Sequence, residues 1–329
     1  MQGSISKHRL HLFSIQPTMT FIKVTGIFIF VVCAHCLVLS TCLRCGIKPS
    51  EEIRNGKVIG GSNAKFGEVP WYGALQTKKM FGIIRLIRCG VVIIDFNWVL
   101  TAAHCVERVK PADISILFGS QLIPKPTGHE VPVTSPSNPL DRFLQERNIA
   151  KIIIHPNFDP INLSNDIALL KLDTSLQFNF NVQPICLPSR DEDFAGHLGH
   201  ISGFGAVSFR PRVVVPQVLQ VALVPILTNR QCYSMFVSSG ILRDVPKTEL
   251  CAGYVEGGVD SCRGDSGGPL TVYSEYRQAW VLAGIVSNGI RCAEPGLPGI
   301  YTRVTSYLDW INKNIQEPLS RDFLYRLHG

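Results

Sequence analysis

The residue best placed to do chemistry in this chain of 329 residues is a serine set among glycines. The stretch Asp260-Ser-Cys-Arg-Gly-Asp-Ser-Gly-Gly-Pro-Leu270 carries Ser266 between Gly264 and the pair Gly267 and Gly268. Little side-chain bulk surrounds it, so a substrate carbonyl can approach the hydroxyl. Backbone N–H groups can then line a hole for a developing oxyanion. A serine hydroxyl is a poor nucleophile at neutral pH until a base takes its proton. Two distant segments offer the missing groups: Thr101-Ala-Ala-His-Cys105 brings the imidazole of His104, and Asn165-Asp-Ile-Ala-Leu-Leu170 brings the carboxylate of Asp166. An imidazole acting as base, a carboxylate fixing its tautomer and a hydroxyl attacking a carbonyl together make acyl-transfer chemistry.

Positioning three groups so far apart requires a large, rigid scaffold. Hydrophobic residues make up 46% of the chain, enough for a sizeable core, and 28 Gly and 21 Pro suit many short strands joined by tight turns. Val91–Ile94 and Asn97–Leu100 read as strands, followed by the turn that carries His104. Further strand-like runs are Ile201–Gly205, Val214–Leu227 and Trp280–Val286, with a loop expected from Gln231 to Cys251. Val304, Tyr307, Leu308, Ile311 and Ile315 recur at helical spacing and predict a closing helix, stopped by Pro318. Lys78, Lys79, Arg85 and Arg88 make a basic loop ahead of the histidine, and the Pro-rich stretch 119–148 reads as a surface insertion. That insertion holds no acidic set with calcium-ligand spacing, and no Cys/His cluster has zinc spacing, so neither a metal nor another cofactor is expected.

The N-terminal residues 1–42 contain Lys7, Arg9 and Lys23 and no acids, and an apolar run extends from Val24 to Leu39. This predicts a signal peptide with a long basic region and hence a secreted, extracellular protein; a retained signal-anchor is the rival reading. The remainder carries 29 basic against 25 acidic residues, a balance of +4 and too small to argue for nucleic acid. Eleven cysteines imply an oxidising compartment. Cleavage after Cys42 would leave eight, an even number that can pair completely. Asn162-Leu-Ser164 is a glycosylation sequon just ahead of Asp166.

The order His104, Asp166, Ser266 resembles the chymotrypsin/trypsin family of serine proteases over about residues 46 to 315. The runs from Cys251 to Leu270 and from Cys292 to Glu294 look like arthropod trypsin-like proteases of the Stubble and clotting-enzyme type. The resemblance implies an all-β fold: two six-stranded antiparallel Greek-key barrels, the active site in the cleft between them, and a C-terminal α-helix. It implies an oxyanion hole from the N–H groups of Gly264 and Ser266, and Ser287 supporting Asp166. It places Asp260 at the base of a pocket for Arg or Lys, kept open by Gly289 and Gly299. It makes residues 43–57 a short activation propeptide cut after Lys57, with Val58 as the new N-terminus and Asp265 as its partner. The protease domain would then span 58–315, followed by a mobile tail over 316–329. It implies the disulfides Cys45–Cys186, Cys89–Cys105, Cys232–Cys251 and Cys262–Cys292, while a further pair common in the family is replaced by Gly199 and Val272.

Two departures stand out. Asn288 follows Ser287 where the family usually has Trp, and Arg291 stands where a Gly is usual at the pocket rim, within reach of Asp260. Arg263 adds another positive charge at the cleft. The expected function is a secreted, zymogen-activated endopeptidase cleaving after Arg or Lys through an acyl-enzyme. Its expected partners are protein substrates, an activating trypsin-like protease and protein inhibitors, with no nucleic acid, and a membrane only if the leader is retained. The alternatives are a weakly active homologue that serves as a binding protein, and a membrane-tethered protease. A lipase or esterase is disfavoured, because its serine motif and triad order differ.

Overall fold

The structure is a computed structural model that describes residues 45–49, 61–79, 84–122, 143–206, 214–261, 264–290 and 292–315. The expected leader, Lys57, Val58, Cys262, Arg263, Arg291 and the tail 316–329 lie outside the described residues. A two-residue strand, β1 (Ser62–Asn63), precedes the first barrel. That barrel comprises β2 (Tyr72–Lys79), β3 (Ile84–Ile93), β4 (Trp98–Thr101), β5 (Ile114–Phe118), β6 (Gln145–Ile154) and β7 (Ala168–Leu172). It closes in the order β2-β3-β4-β7-β6-β5, all pairs antiparallel. The second barrel comprises β8 (Leu198–Gly203), β9 (Gln220–Leu227), β10 (Glu249–Ala252), β11 (Pro269–Ser274), β12 (Ala279–Asn288) and β13 (Gly299–Arg303). Its ring runs β8-β9-β10-β13-β12-β11 and back to β8, with β1 added outside β9. Two closed six-stranded antiparallel barrels are therefore present, as the sequence predicts.

The apolar run from Ala279 to Val286 is buried on both faces, which explains why it reads as continuous rather than alternating. Successive side chains of a strand point to opposite faces. Val281, Ala283 and Val286 accordingly enter the core of the second barrel, while Trp280, Leu282 and Ile285 join the cluster that fills the first. The phase changes at a register shift opposite Leu270 and Thr271, where an extra residue re-aims the strand. β12 is thus a wall shared by both barrels, and the residues at its end, Ser287 and Asn288, fall at the seam between them.

The closing helix does the complementary job from the other direction. Val304 and Tyr307 occupy a 3-10 turn leading into α2 (Leu308–Ile315), which keeps the predicted helical spacing. Its buried residues Leu308 and Ile311 join the first barrel's cluster, although the helix follows the last strand of the second. Hydrogen bonds from Gln183 N–H to the Pro70 carbonyl (2.9 Å) and from Ile185 N–H to the Ile93 carbonyl (3.0 Å) fasten the linker between barrels.

Two expectations are corrected. The segment expected to be a loop from Gln231 opens as a helix, α1 (Asn229–Ser238). Thr228 accepts from Gln231 N–H at 3.1 Å while the Gln231 side chain accepts from Thr228 N–H at 2.9 Å, a reciprocal cap that starts the helix. Cys232 and Phe236, four apart, anchor one face in the core. The basic residues ahead of His104 lie on paired strands rather than in a loop: Lys78 and Lys79 end β2 opposite Arg85 and Ile84 of β3, which also carries Arg88.

Candidate active site

Asp166 is almost fully buried, at 1% exposure. Its Oδ1 accepts from the His104 backbone N–H at 2.9 Å and its Oδ2 pairs with His104 Nδ1 at 2.7 Å. Ser287 Oγ donates to the same Oδ2 at 2.5 Å, and Thr302 Oγ donates to the Asp166 carbonyl at 2.7 Å. Groups from three separate regions of the chain therefore fix one aspartate. The Nδ1 contact makes that nitrogen the proton-bearing one while the aspartate is ionised, leaving Nε2 as the acceptor. His104 rides on a 3-10 turn, Ala103–Cys105, at the end of β4, and the Cys89–Cys105 disulfide ties that turn to β3. Its side chain keeps 26% exposure, so one edge of the ring remains accessible.

Ser266 sits on a turn clipped to both barrels. Its carbonyl accepts from Gly90 N–H of β3 at 2.8 Å; Gly267 N–H donates to Val286 of β12 at 2.7 Å; Val286 N–H returns a bond to Gly268 at 2.9 Å. Gly267 has φ +77°, and a Cβ there would lie 2.2 Å from Thr101 Oγ1 and 2.4 Å from the Gly90 carbonyl. Only glycine admits both the left-handed backbone and that close approach. The contact brings the serine turn directly against Thr101 and Ala102, the residues leading into His104. Gly264 is also left-handed, at φ +103°. Among the described residues neither Gly264 N–H nor Ser266 N–H donates a hydrogen bond, so both are available to a ligand oxygen.

Asp260 lies between two glycines. A Cβ on Gly299 would stand 2.4 Å from its Oδ1, and one on Gly289 would stand 3.8 Å from its Oδ2. Oδ2 accepts from Ala293 N–H at 3.3 Å, whereas buried Oδ1 has no hydrogen-bond partner among the described residues. Burial pushes the Asp260 pKa up to about 7, against smaller opposing pulls from the Ala293 and Ser261 amides. A carboxylate in that condition gains strongly from a cation that can reach it.

The family comparison matches residues 58–311 to the trypsin family. The chain belongs to the trypsin family. It is 36% identical over 268 residues to serine protease filzig of Drosophila melanogaster and 37% identical over 273 residues to serine proteinase stubble of the same organism. These alignments cover 82% and 83% of this chain but only 15% and 33% of the two relatives, so it spans a minor part of their lengths.

In this trypsin-family chain the expected site residues fall as follows. His104, Asp166 and Ser287 are hydrogen-bonded together, and the Ser266 turn packs against Thr101 and Ala102, just ahead of His104. Asp265 reaches the segment that follows β8, its Oδ1 accepting from Gly205 N–H at 2.7 Å. Cys45–Cys186, Cys89–Cys105 and Cys232–Cys251 are joined, and Cys292 is also disulfide-bonded. Gly199 and Val272 pack into the second barrel in place of a further bridge; a Cβ on Gly199 would meet Leu270 at 2.5 Å. Asn288 is half-buried at the end of β12, between Ser287 and Gly289. One group of potential metal ligands occurs among the described residues, Cys89, His104 and Cys105, and both its sulfurs are in a disulfide, so it offers no thiolate. Sequence reasoning missed Thr302, which holds the Asp166 backbone, and Tyr307, whose hydroxyl donates to Asn165 at 3.0 Å. Both act across more than a hundred residues of chain, and no local pattern announces either role.

Proposed function

We propose that this chain is a secreted, zymogen-activated serine endopeptidase that cleaves after Arg or Lys. The observation that carries the reading is the buried Asp166, which grips His104 through both its backbone N–H and Nδ1 beside the Ser266 turn. Ser266 Oγ attacks the scissile carbonyl carbon as its proton passes to His104 Nε2, and Asp166 stabilises the resulting imidazolium. The N–H groups of Gly264 and Ser266 receive the oxyanion, each donor contributing about 3 kcal/mol to the transition state. Collapse expels the amine, which takes its proton from His104, and leaves the acyl group on Ser266. Water, deprotonated by the same imidazole, then releases the acid.

Asp260 gives the specificity. A guanidinium or ammonium entering its pocket supplies the partner that Oδ1 lacks and drives off the proton held there near neutral pH. Cutting after Lys57 frees Val58, whose ammonium pairs with Asp265 and orders the oxyanion turn. Cys45–Cys186 then keeps the propeptide attached. Among the described residues no helix is long and apolar enough to cross a membrane.

The test is to cut the full chain after Lys57, label it with an active-site phosphonate, and profile it on a peptide library. Labelling at Ser266 with products ending in Arg or Lys is the expected result; cleavage after aromatic or small residues would overturn the specificity. The second reading, a weakly active binding protein, draws on Asn288 in place of a cleft-walling Trp. It predicts no labelling.

Asn162 is exposed, and its Oδ1 accepts from Ser164 N–H at 2.8 Å, which presents the amide on an ordered loop. Glycosylation there is expected to appear as a single mass shift, removed by an N-glycosidase and missing from Asn162→Gln. An identical mass in the variant would exclude it.

A further inference from the structure

We propose that Glu249 is a positioning residue for the reaction: its buried charge, held by Arg243 behind Thr302, acts through Asp166 to stabilise His104 as the imidazolium. The inference deepens the reading of His104 as the general base and rests on it. Glu249 opens β10, is 7% exposed, and takes no part in the steps derived above. A carboxylate is costly to bury, and an apolar residue would fill the same strand position without that cost.

Its register in the sheet sets it behind the triad. Glu249 stands directly opposite Thr302 of β13. Opposite residues of an antiparallel pair point to the same face, with Cβ atoms about 5 Å apart. The next pair, Leu250 and Tyr301, enters the core of the second barrel, so Glu249 and Thr302 face outward together. On that face Thr302 Oγ donates to the Asp166 carbonyl at 2.7 Å. Glu249 therefore lies one side chain behind the aspartate that holds His104.

Arg243 holds the carboxylate, its Nη2 meeting Glu249 Oε2 at 2.8 Å. The arginine is the more exposed partner, 23% against 9%, and its guanidinium lies 6.0 Å from the Phe236 ring of α1. Water screens it more than it screens the carboxylate, so the pair turns its negative end toward Asp166. Among the described residues, the other charged and titratable groups facing Glu249 are Arg303 from β13, Tyr307 from the closing 3-10 turn and Asp166 from the first barrel. Arg303 is engaged with backbone and amide: its Nη2 donates to Asn229 Oδ1 at 2.7 Å and to the Glu249 carbonyl at 3.1 Å. Burial raises the Glu249 pKa, Arg243 pulls it down, and the charge of Asp166 adds a push upward. An imidazolium held on Asp166 answers both negative charges.

The experiment reads His104 twice: by NMR titration of its imidazole in the full chain, and by the acidic limb of kcat/KM after cleavage at Lys57. In Glu249→Gln both are expected to move about half a pH unit lower, the order that one charge exerts across a few side chains. Its kcat is expected to fall a few-fold with KM unchanged. Glu249→Asp keeps the charge and is expected to titrate as wild type does. Glu249→Met fills the position without a charge or a hydrogen bond, and is expected to shift His104 as Gln does, whatever its Tm. A merely structural carboxylate would leave the titration in place in every variant that folds, and Asp would be as damaging as Gln. An unshifted His104 in Glu249→Gln and Glu249→Met would overturn the role of Glu249 while leaving the protease reading intact. A cleaved wild type without activity would overturn the general-base reading, and the NMR titration would still decide whether the charge of Glu249 reaches His104.

Discussion

Ser266→Ala in the chain cleaved after Lys57 is expected to lower kcat on short Arg substrates by about a million-fold, with KM changed only a few-fold. The alanine keeps the turn, because its fixed contacts run through the backbone: the Ser266 carbonyl to Gly90 and the Gly267 amide to Val286. Binding in the Asp260 pocket should therefore survive while the covalent step is lost. Steady-state kinetics and phosphonate labelling check this together. A variant that retains a tenth of the wild-type rate would mean that the nucleophile is another group. A wild type as silent as the variant would favour the binding-protein reading.

Asp260→Asn is expected to lower kcat/KM for Arg and Lys substrates by about ten-thousand-fold, since a site built around one charged contact strongly rejects its loss. The same substitution should stabilise the fold above neutral pH. The Asp260 pKa is raised from 3.8 to about 7, so between those values the folded chain binds more protons than the unfolded one. Stability from this group therefore falls as pH rises through that window. Asparagine removes the dependence. Melting curves of the uncleaved chain should coincide at about pH 4 and separate by about pH 8, with the variant higher. In wild type, KM for Arg substrates should rise as pH falls below about 7, when the pocket carboxylate takes up a proton. An unchanged Arg/Lys preference in Asp260→Asn would move the pocket elsewhere.

What could be read from the sequence was whatever lies within a few residues of itself. The Ser266 turn, the His104 turn and the Asp166 segment each carry their own signature, and the β12 run was recognisable as strand because its apolar residues are continuous. The closing helix was legible for the same reason, through spacing at Val304, Tyr307, Leu308 and Ile311. α1 carries Thr228 and Gln231 at capping-box spacing, but only Cys232 and Phe236 of its ten residues are buried, too short a repeat to announce a helix. Thr302 and Tyr307 act only once distant segments meet. Threonine and tyrosine are ordinary strand residues, so their types alone reveal nothing of those roles.

The clasp formed by α2 also bears on how the molecule is made. Leu308 and Ile311 seat themselves in the half of the protein that is translated first. While that half and the later strands are emerging from the ribosome, the groove is tied by the linker's bonds and by the Ser266 turn but not yet by this helix. The helix is made after every strand of both barrels, so a nascent product cut before Leu308 would carry every reacting side chain and still lack this one tie between the two halves.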